Sequence, residues 1–202
     1  MIELLFPCPI GLYPLNRKLT KKETSYLKNL EMENNTGNLI GVSGNVLEDN
    51  KVKFLKQFIE DSLKEFAKET YDYNTDKVQL SITKSWVNKT KQGEYHHMHA
   101  HQNSIIAGVF YFEGNDNDVI EFYDSSNWLG LDRLAVEINN FNWFNSKSWS
   151  FPAEVGTLLL FPSKLAHAVP IVKGKKDRYS LSFNTFFKGE LGQFKTDTLY
   201  IK

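Results

Sequence analysis

The chain has 202 residues, enough to bury most of its apolar surface without disulfides or a structural metal. Its 24 Lys and Arg balance 24 Asp and Glu, a neutral total that argues against a nucleic-acid binder working through bulk charge. The longest apolar runs, such as Leu158-Leu159-Leu160-Phe161, fall far short of the roughly 20 residues that a membrane helix needs. The one cysteine, Cys8, excludes an internal disulfide, and residues 1–5 lack the basic start and long apolar core of a signal peptide. A reducing, cytoplasmic home is the simplest expectation. Aromatic residues make up 14%, which tilts the reading toward β-structure, where such side chains pack on pleated surfaces.

In chain order, residues 3–6 read as a short strand stopped by Pro7, Pro9 and Gly11. Thr20 and Glu23 fit a capping box at the start of a helix, with Tyr26, Leu27 and Leu30 on one face. Residues 34–46, rich in Asn and Gly, read as loop. Val52, Leu55, Ile59, Leu63 and Phe66 then step at the helical period, with Asp49 or Asn50 as N-cap, and predict a second helix packed on a sheet. From Lys77 the period changes to two. Strands are predicted over residues 78–86, 104–112, 119–123, 156–161, 168–172 and 178–187, with an edge strand at 198–201. Many short strands after a helical start suggest a β-sandwich or barrel backed by two helices. With no linker or repeat, the chain reads as one domain, 1–202, with helical support over 18–70 and a β-core over 77–202. Residues 124–150 form a long insertion carrying Trp128, Phe141, Trp143, Phe144 and Trp149. It is expected to wall or cover a substrate pocket and to place at least one of Trp128, Trp143 and Phe144 in it.

Four of the five histidines lie in the run Tyr95-His96-His97-Met98-His99-Ala100-His101. In an extended chain His97, His99 and His101 share one face and His96 takes the other. Two imidazoles on one face can grip one metal ion, and a third must come from elsewhere in the fold. His167 is the remaining histidine, 66 positions after His101.

The order of motifs carries a resemblance. Ser85-Trp86-Val87-Asn88 is followed by Gly93, by His99-Ala100-His101-Gln102-Asn103-Ser104, and by Gly108-Val109-Phe110-Tyr111-Phe112. After the insertion come Gly156-Thr157-Leu158-Leu159-Leu160-Phe161-Pro162-Ser163, His167 and Arg178-Tyr179-Ser180-Leu181-Ser182-Phe183-Asn184. This series resembles the Fe(II)- and 2-oxoglutarate-dependent oxygenases, and more narrowly those common in marine bacteria and their phages. The opening Leu5-Phe6-Pro7-Cys8-Pro9 and the helical region are similar too.

The resemblance implies a double-stranded β-helix, a cupin-like jelly roll with the metal at its open end. It implies His99, His101 and His167 as metal ligands, Fe(II) as the metal and 2-oxoglutarate as co-substrate. Three protein ligands on one side of the ion leave positions opposite for co-substrate and O2. The far carboxylate of 2-oxoglutarate needs a cation, and Arg178 stands 11 positions after His167, about where the family places such an arginine. Ser180, two on, faces the same way along the strand and can donate a further hydrogen bond, and Tyr111 matches a position where relatives place a tyrosine that also reaches that carboxylate. The implied activity is a dioxygenase that hydroxylates an unidentified substrate and releases succinate and CO2.

The second ligand position departs from the wider superfamily, which has Asp or Glu where this chain has His101. Three neutral imidazoles leave the ion one charge more positive and leave room for zinc. Two other donor sets stay open at this point: His97 with His99, or an oxygen from Glu121. The competing functions are a catalytically silent metal-binding jelly roll and a zinc hydrolase.

Overall fold

The computed structural model describes residues 2–124, 126, 129–130 and 135–202. Two helices, α1 (Lys21–Lys28) and α2 (Lys53–Thr70), accompany twelve strands among those residues. The first three are β1 (Gly11–Pro14), β2 (Met32–Asn34) and β3 (Leu39–Gly41). After α2 come β4 (Val78–Thr90), β5 (His96–His99), β6 (Ile106–Glu113), β7 (Val119–Tyr123) and β8 (Ser148–Pro152). The last are β9 (Thr157–Pro162), β10 (His167–Val169), β11 (Arg178–Leu191) and β12 (Leu199–Ile201). The larger sheet runs β1-β9-β6-β11-β4-β3-β2 with β12 paired to β11, and the smaller runs β5-β10-β7-β8. The ladders within both sheets are antiparallel, and the sheets form the expected jelly roll backed by helices.

The helices form where caps and apolar stripes place them. Glu23 N donates to Thr20 Oγ1 at 3.2 Å while Thr20 N donates to Glu23 Oε2 at 2.8 Å, the reciprocal capping box. Asp49 accepts from Lys51 N at 2.8 Å and caps a 3-10 turn, Asn50–Val52, that runs straight into α2. Val52, Leu55, Ile59, Leu63 and Phe66 are all buried.

β6 and β9 of the larger sheet are buried on both faces, so their sequences are almost continuously apolar. Leu158 and Leu160, with Phe110, Leu181 and Phe183, face the helices. Leu159 and Phe161, with Ala107, Val109 and Tyr111, face the smaller sheet and meet Ile120 and Phe122 there. In β11 the inward row is polar: Arg178, Ser180, Ser182 and Asn184 alternate with Tyr179, Leu181 and Phe183.

Two local expectations are corrected. Residues 3–6 form no strand: Leu4, Leu5 and Phe6 are exposed, and Phe6 has a φ of 57°, which extended pairing does not allow. The first strand is β1, which borders β9. Residues 34–46 are not all loop, because β2 and β3 pair around a turn where Gly37 takes a φ of 89°. These strands extend the sheet at its β4 edge. Among the described residues no helix is long and apolar enough to cross a membrane.

Candidate metal centre

Pairing brings the histidines together. β10 lies between β5 and β7, with His167 opposite His99 on one side and Phe122 on the other. One ring nitrogen from each of His99, His101 and His167 lies within 4.8 Å of the other two. His101 Nε2 and His167 Nε2 are 3.3 Å apart. Each ring is turned by an oxygen on its other nitrogen. His99 Nδ1 donates to the carbonyl of His97 at 2.8 Å, His101 Nδ1 to Asn184 Oδ1 at 2.6 Å, and His167 Nδ1 to the carbonyl of Leu165 at 3.0 Å. A proton fixed on Nδ1 leaves a lone pair on Nε2. Two such lone pairs at 3.3 Å repel unless a cation lies between them. The donor chemistry therefore fits a first-row divalent ion.

Burial keeps these rings neutral. It depresses His167 to about 3 and His101 to about 4, and lowers His99 as well. The Asn184 bond acts the other way on His101, and the neighbouring rings add to the depression. Phe161 and Phe122 wall His167, and Trp86 lies over His101 at 5.8 Å between centroids and 29° between planes.

The triad shares a cavity with Arg178, Ser180, Tyr111, Asn88 and Trp86. Arg178 is 4% exposed and makes no ion pair among the described residues. Its guanidinium stands 5.0 Å from the centroid of the Tyr111 ring, and its Nη2 donates at 3.5 Å to the carbonyl of Val119. Among the described residues Arg178 Nε, the Tyr111 hydroxyl and Asn88 Oδ1 are buried without hydrogen-bond partners. Buried polar groups of this kind cost free energy until a partner satisfies them, and the two donors among them, Arg178 Nε and the Tyr111 hydroxyl, call for an anion. A buried cation beside an unpartnered hydroxyl suits a carboxylate, so the pocket fits the far end of a dicarboxylate. A larger cavity of about 510 Å³ shares Val169 and Arg178 with this one but lacks the histidines. Converging unpaired polar groups, not volume, mark the site.

His96 differs from its sequence reading. β5 takes four residues, His96 to His99, where β10 takes three, His167 to Val169. This bulge turns His96 to the cavity side beside His99, with ring centroids 4.4 Å apart, and leaves His97 exposed. Asn184 and Asn88 also went unassigned from sequence. The two-residue period running on from Arg178 and Ser180 could have found Asn184.

Glu121 does not reach the triad. Its neighbours Ile120 and Phe122 take the inward positions, and its carboxylate accepts from Ser148 Oγ at 2.6 Å and the Tyr123 hydroxyl at 3.1 Å. Trp143 and Phe144 are 77% and 51% exposed and line neither cavity, which leaves Trp128 as the residue of the three on which the expectation turns. Their segment leaves from β7 and returns as β8, the edge of the smaller sheet farthest from β5. Trp128 lies outside the described residues.

Comparison with known proteins shows the family and the fold. The profile of the family described as "Putative 2OG-Fe(II) oxygenase" matches residues 84–184, half of the chain. No curated protein matches. Among solved structures, HygX from Streptomyces hygroscopicus with nickel and 2-oxoglutarate bound is similar at a TM-score of 0.58 and 10% identity, over 88% of this chain and 82% of that one. A Pseudomonas putida prolyl-4-hydroxylase is similar at 0.57 and 9% identity, over 89% and 94% of the two chains. A Trichoplax adhaerens prolyl hydroxylase in complex with a hypoxia inducible factor peptide fragment gives 0.56 and 13% identity, over 88% and 83%. At such identities the likeness speaks for the fold alone, whereas the profile spans the strands that carry the histidines, Tyr111 and Arg178: this chain belongs to the 2OG-Fe(II) oxygenase family.

Proposed function

We propose that the protein is a 2-oxoglutarate-dependent dioxygenase in which His99, His101 and His167 hold Fe(II), and Arg178, Tyr111 and Ser180 hold the far carboxylate of 2-oxoglutarate. The observation that carries this reading is the convergence of two complementary sets of groups in one cavity. Three imidazoles present lone pairs to a cation, and a buried arginine and tyrosine present donors to an anion. When bound, iron, 2-oxoglutarate and O2 would supply the oxidative decarboxylation to succinate and CO2 coupled to hydroxylation of a C–H bond, one oxygen atom of O2 entering succinate and the other the new hydroxyl.

The chain's own residues bind, orient and exclude. The three oxygens that accept from Nδ1 fix the imidazole planes before any ion arrives. Arg178 sets the register of the co-substrate, since a planar fork accepts a carboxylate in one orientation. Phe161, Phe122 and Ile120 keep water from the inner wall, which strengthens each charge interaction there. Among the described residues no carboxylate joins the triad, so the anionic co-substrate compensates more of the ion's charge than in a site with an acidic ligand.

Metal-free protein loaded anaerobically with Fe(II) and then 2-oxoglutarate is expected to develop a metal-to-ligand absorption band. Screening substrate pools for succinate release then seeks the hydroxylated partner. Arg178→Lys loses the bidentate fork and is expected to weaken 2-oxoglutarate binding by about tenfold or more. An absent band in the wild type, or undiminished affinity in that variant, overturns the reading.

A further inference from the structure

Metal-capable side chains do not end with the triad. His96, His97 and His99 also each offer a ring nitrogen within 4.8 Å of the other two. Their centroids stand 4.4 Å apart for His96 and His99, and 5.2 Å apart for His97 with either neighbour. His99 belongs to both groups. Its Nδ1 is committed to the carbonyl of His97, so it has one lone pair to give, and one lone pair serves one ion at a time.

The two groups differ in exposure and in how firmly they are held. His97 is exposed, His96 and His99 are half-buried, and His167 is buried. The rings thus descend from solvent into the jelly roll. All three triad rings have a hydrogen-bond acceptor on Nδ1 at 3.0 Å or less. In the outer group only His99 is held so well: His97 Nδ1 stands 3.5 Å from the carbonyl of Thr36, and His96 Nε2 stands 3.4 Å from Asn35 Nδ2. The inner set is the more preorganised and should hold an ion more tightly; the outer set is the more accessible. Plain surface chemistry would explain an exposed His97 on the edge strand β5. It would not explain why the β5 bulge turns His96 to the same side as His99.

We propose that His96, His97 and His99 form an outer docking position for a first-row divalent cation, from which the ion passes to the triad through the shared His99. This rests on the reading of the triad as the metal centre. Imidazole accepts Fe(II), Co(II), Ni(II) and Zn(II) alike, so the position selects by ligand type and not by element. His99 keeps its hold while His96 and His97 are replaced by His101 and His167, so the ion is never returned fully to water. The two positions exclude each other, and the chain holds one ion at equilibrium.

Metal-free protein mixed with Co(II) or Ni(II), followed by stopped-flow absorbance and by calorimetry, tests this without turnover. Wild type is expected to bind one ion. His97→Ala should keep that stoichiometry and nearly the same affinity, because His97 lies outside the triad, but load several-fold more slowly. His167→Ala, or His167→Asn if the alanine variant does not fold, should retain one ion at an affinity weaker by at least about tenfold. Adding His97→Ala to it should abolish that residual binding. An unchanged loading rate in His97→Ala overturns the proposal. So does an inner-site variant that binds nothing, or one whose residual ion survives the loss of His97. A wild type that binds no ion overturns the triad as well, whereas normal binding with an unaltered rate leaves the triad standing.

Discussion

Asn184 decides which nitrogen of His101 is free. Its Oδ1 accepts from Nδ1 at 2.6 Å, which fixes the tautomer and leaves Nε2 directed at His167. Asn184→Ala removes that acceptor and strands an N–H in a half-buried setting. Metal affinity is expected to fall about 10–100-fold, the usual effect of losing such a partner. Asn184→Asp keeps an acceptor oxygen and adds negative charge, so it should bind as well as wild type or better. Calorimetric titration of metal-free protein with Co(II) separates the cases. Equal affinities in all three proteins would mean that the Trp86 stack, at 5.8 Å, is what orients His101. At this scale Arg178 was legible through the family resemblance, and Ser180 followed from it because a strand repeats every two residues; the row they share is polar where a core strand should be apolar. His96 was not legible. Its direction depends on one extra residue in β5, and nothing in a run of histidines marks where a bulge falls.

Elements were readable wherever burial imposes a period. α2 shows its stripe because one face is covered, and β9 shows an unbroken apolar run because both faces are. The edge pieces were not readable. β1 and the β2-β3 hairpin are three or four residues long, and their pairing depends on which sheet edge lies beside them. The insertion was legible only in part: its aromatic content says that it should be covered, but not by what. Gly108 shows what the core strands demand. It sits in β6 opposite Phe183 of β11, and a Cβ there would come 2.2 Å from the Phe183 ring and 2.9 Å from Leu160. Both neighbours belong to the core that packs on α2. Gly108→Ala should therefore destabilise the protein by about 1–3 kcal/mol through overpacking. Urea unfolding at neutral pH measures it. Stability equal to wild type would mean that the Phe183 ring can swing aside, and that the β6–β11 contact is looser than its geometry implies.

Across the whole molecule, the histidine cluster ties folding to pH and to metal. Burial holds His96 and His167 at about 3 and His101 at about 4, and His99 is lowered too. In the unfolded chain each returns to about 6.5. Between those limits the unfolded state binds more protons than the folded one, so stability rises with pH. The contribution is fully present above about pH 6.5 and is lost as pH falls toward the folded values. Each proton taken up on unfolding gives a slope of about 1.4 kcal/mol per pH unit, so the cluster can contribute about 4–5 kcal/mol per unit at its steepest. Metal-free protein, kept so with chelator, should show a nearly constant urea midpoint from pH 8 to about 7 and a steep decline from about 6 toward 4.5. His167→Asn should lower that slope by about one proton, whatever its stability at neutral pH. Saturation with Zn(II) or Co(II) should raise the midpoint at pH 7.5, since an ion that binds only the folded state stabilises it by mass action. That increment must shrink in acid, because protons compete for the same Nε2 lone pairs. The two curves should therefore converge as the pH falls. A metal-free midpoint that stays level from pH 8 to 5 would mean that the rings take up protons without unfolding. The cluster would then be far less enclosed than its burial indicates, and the lone pairs that face one another at 3.3 Å would be open to protonation at ordinary pH.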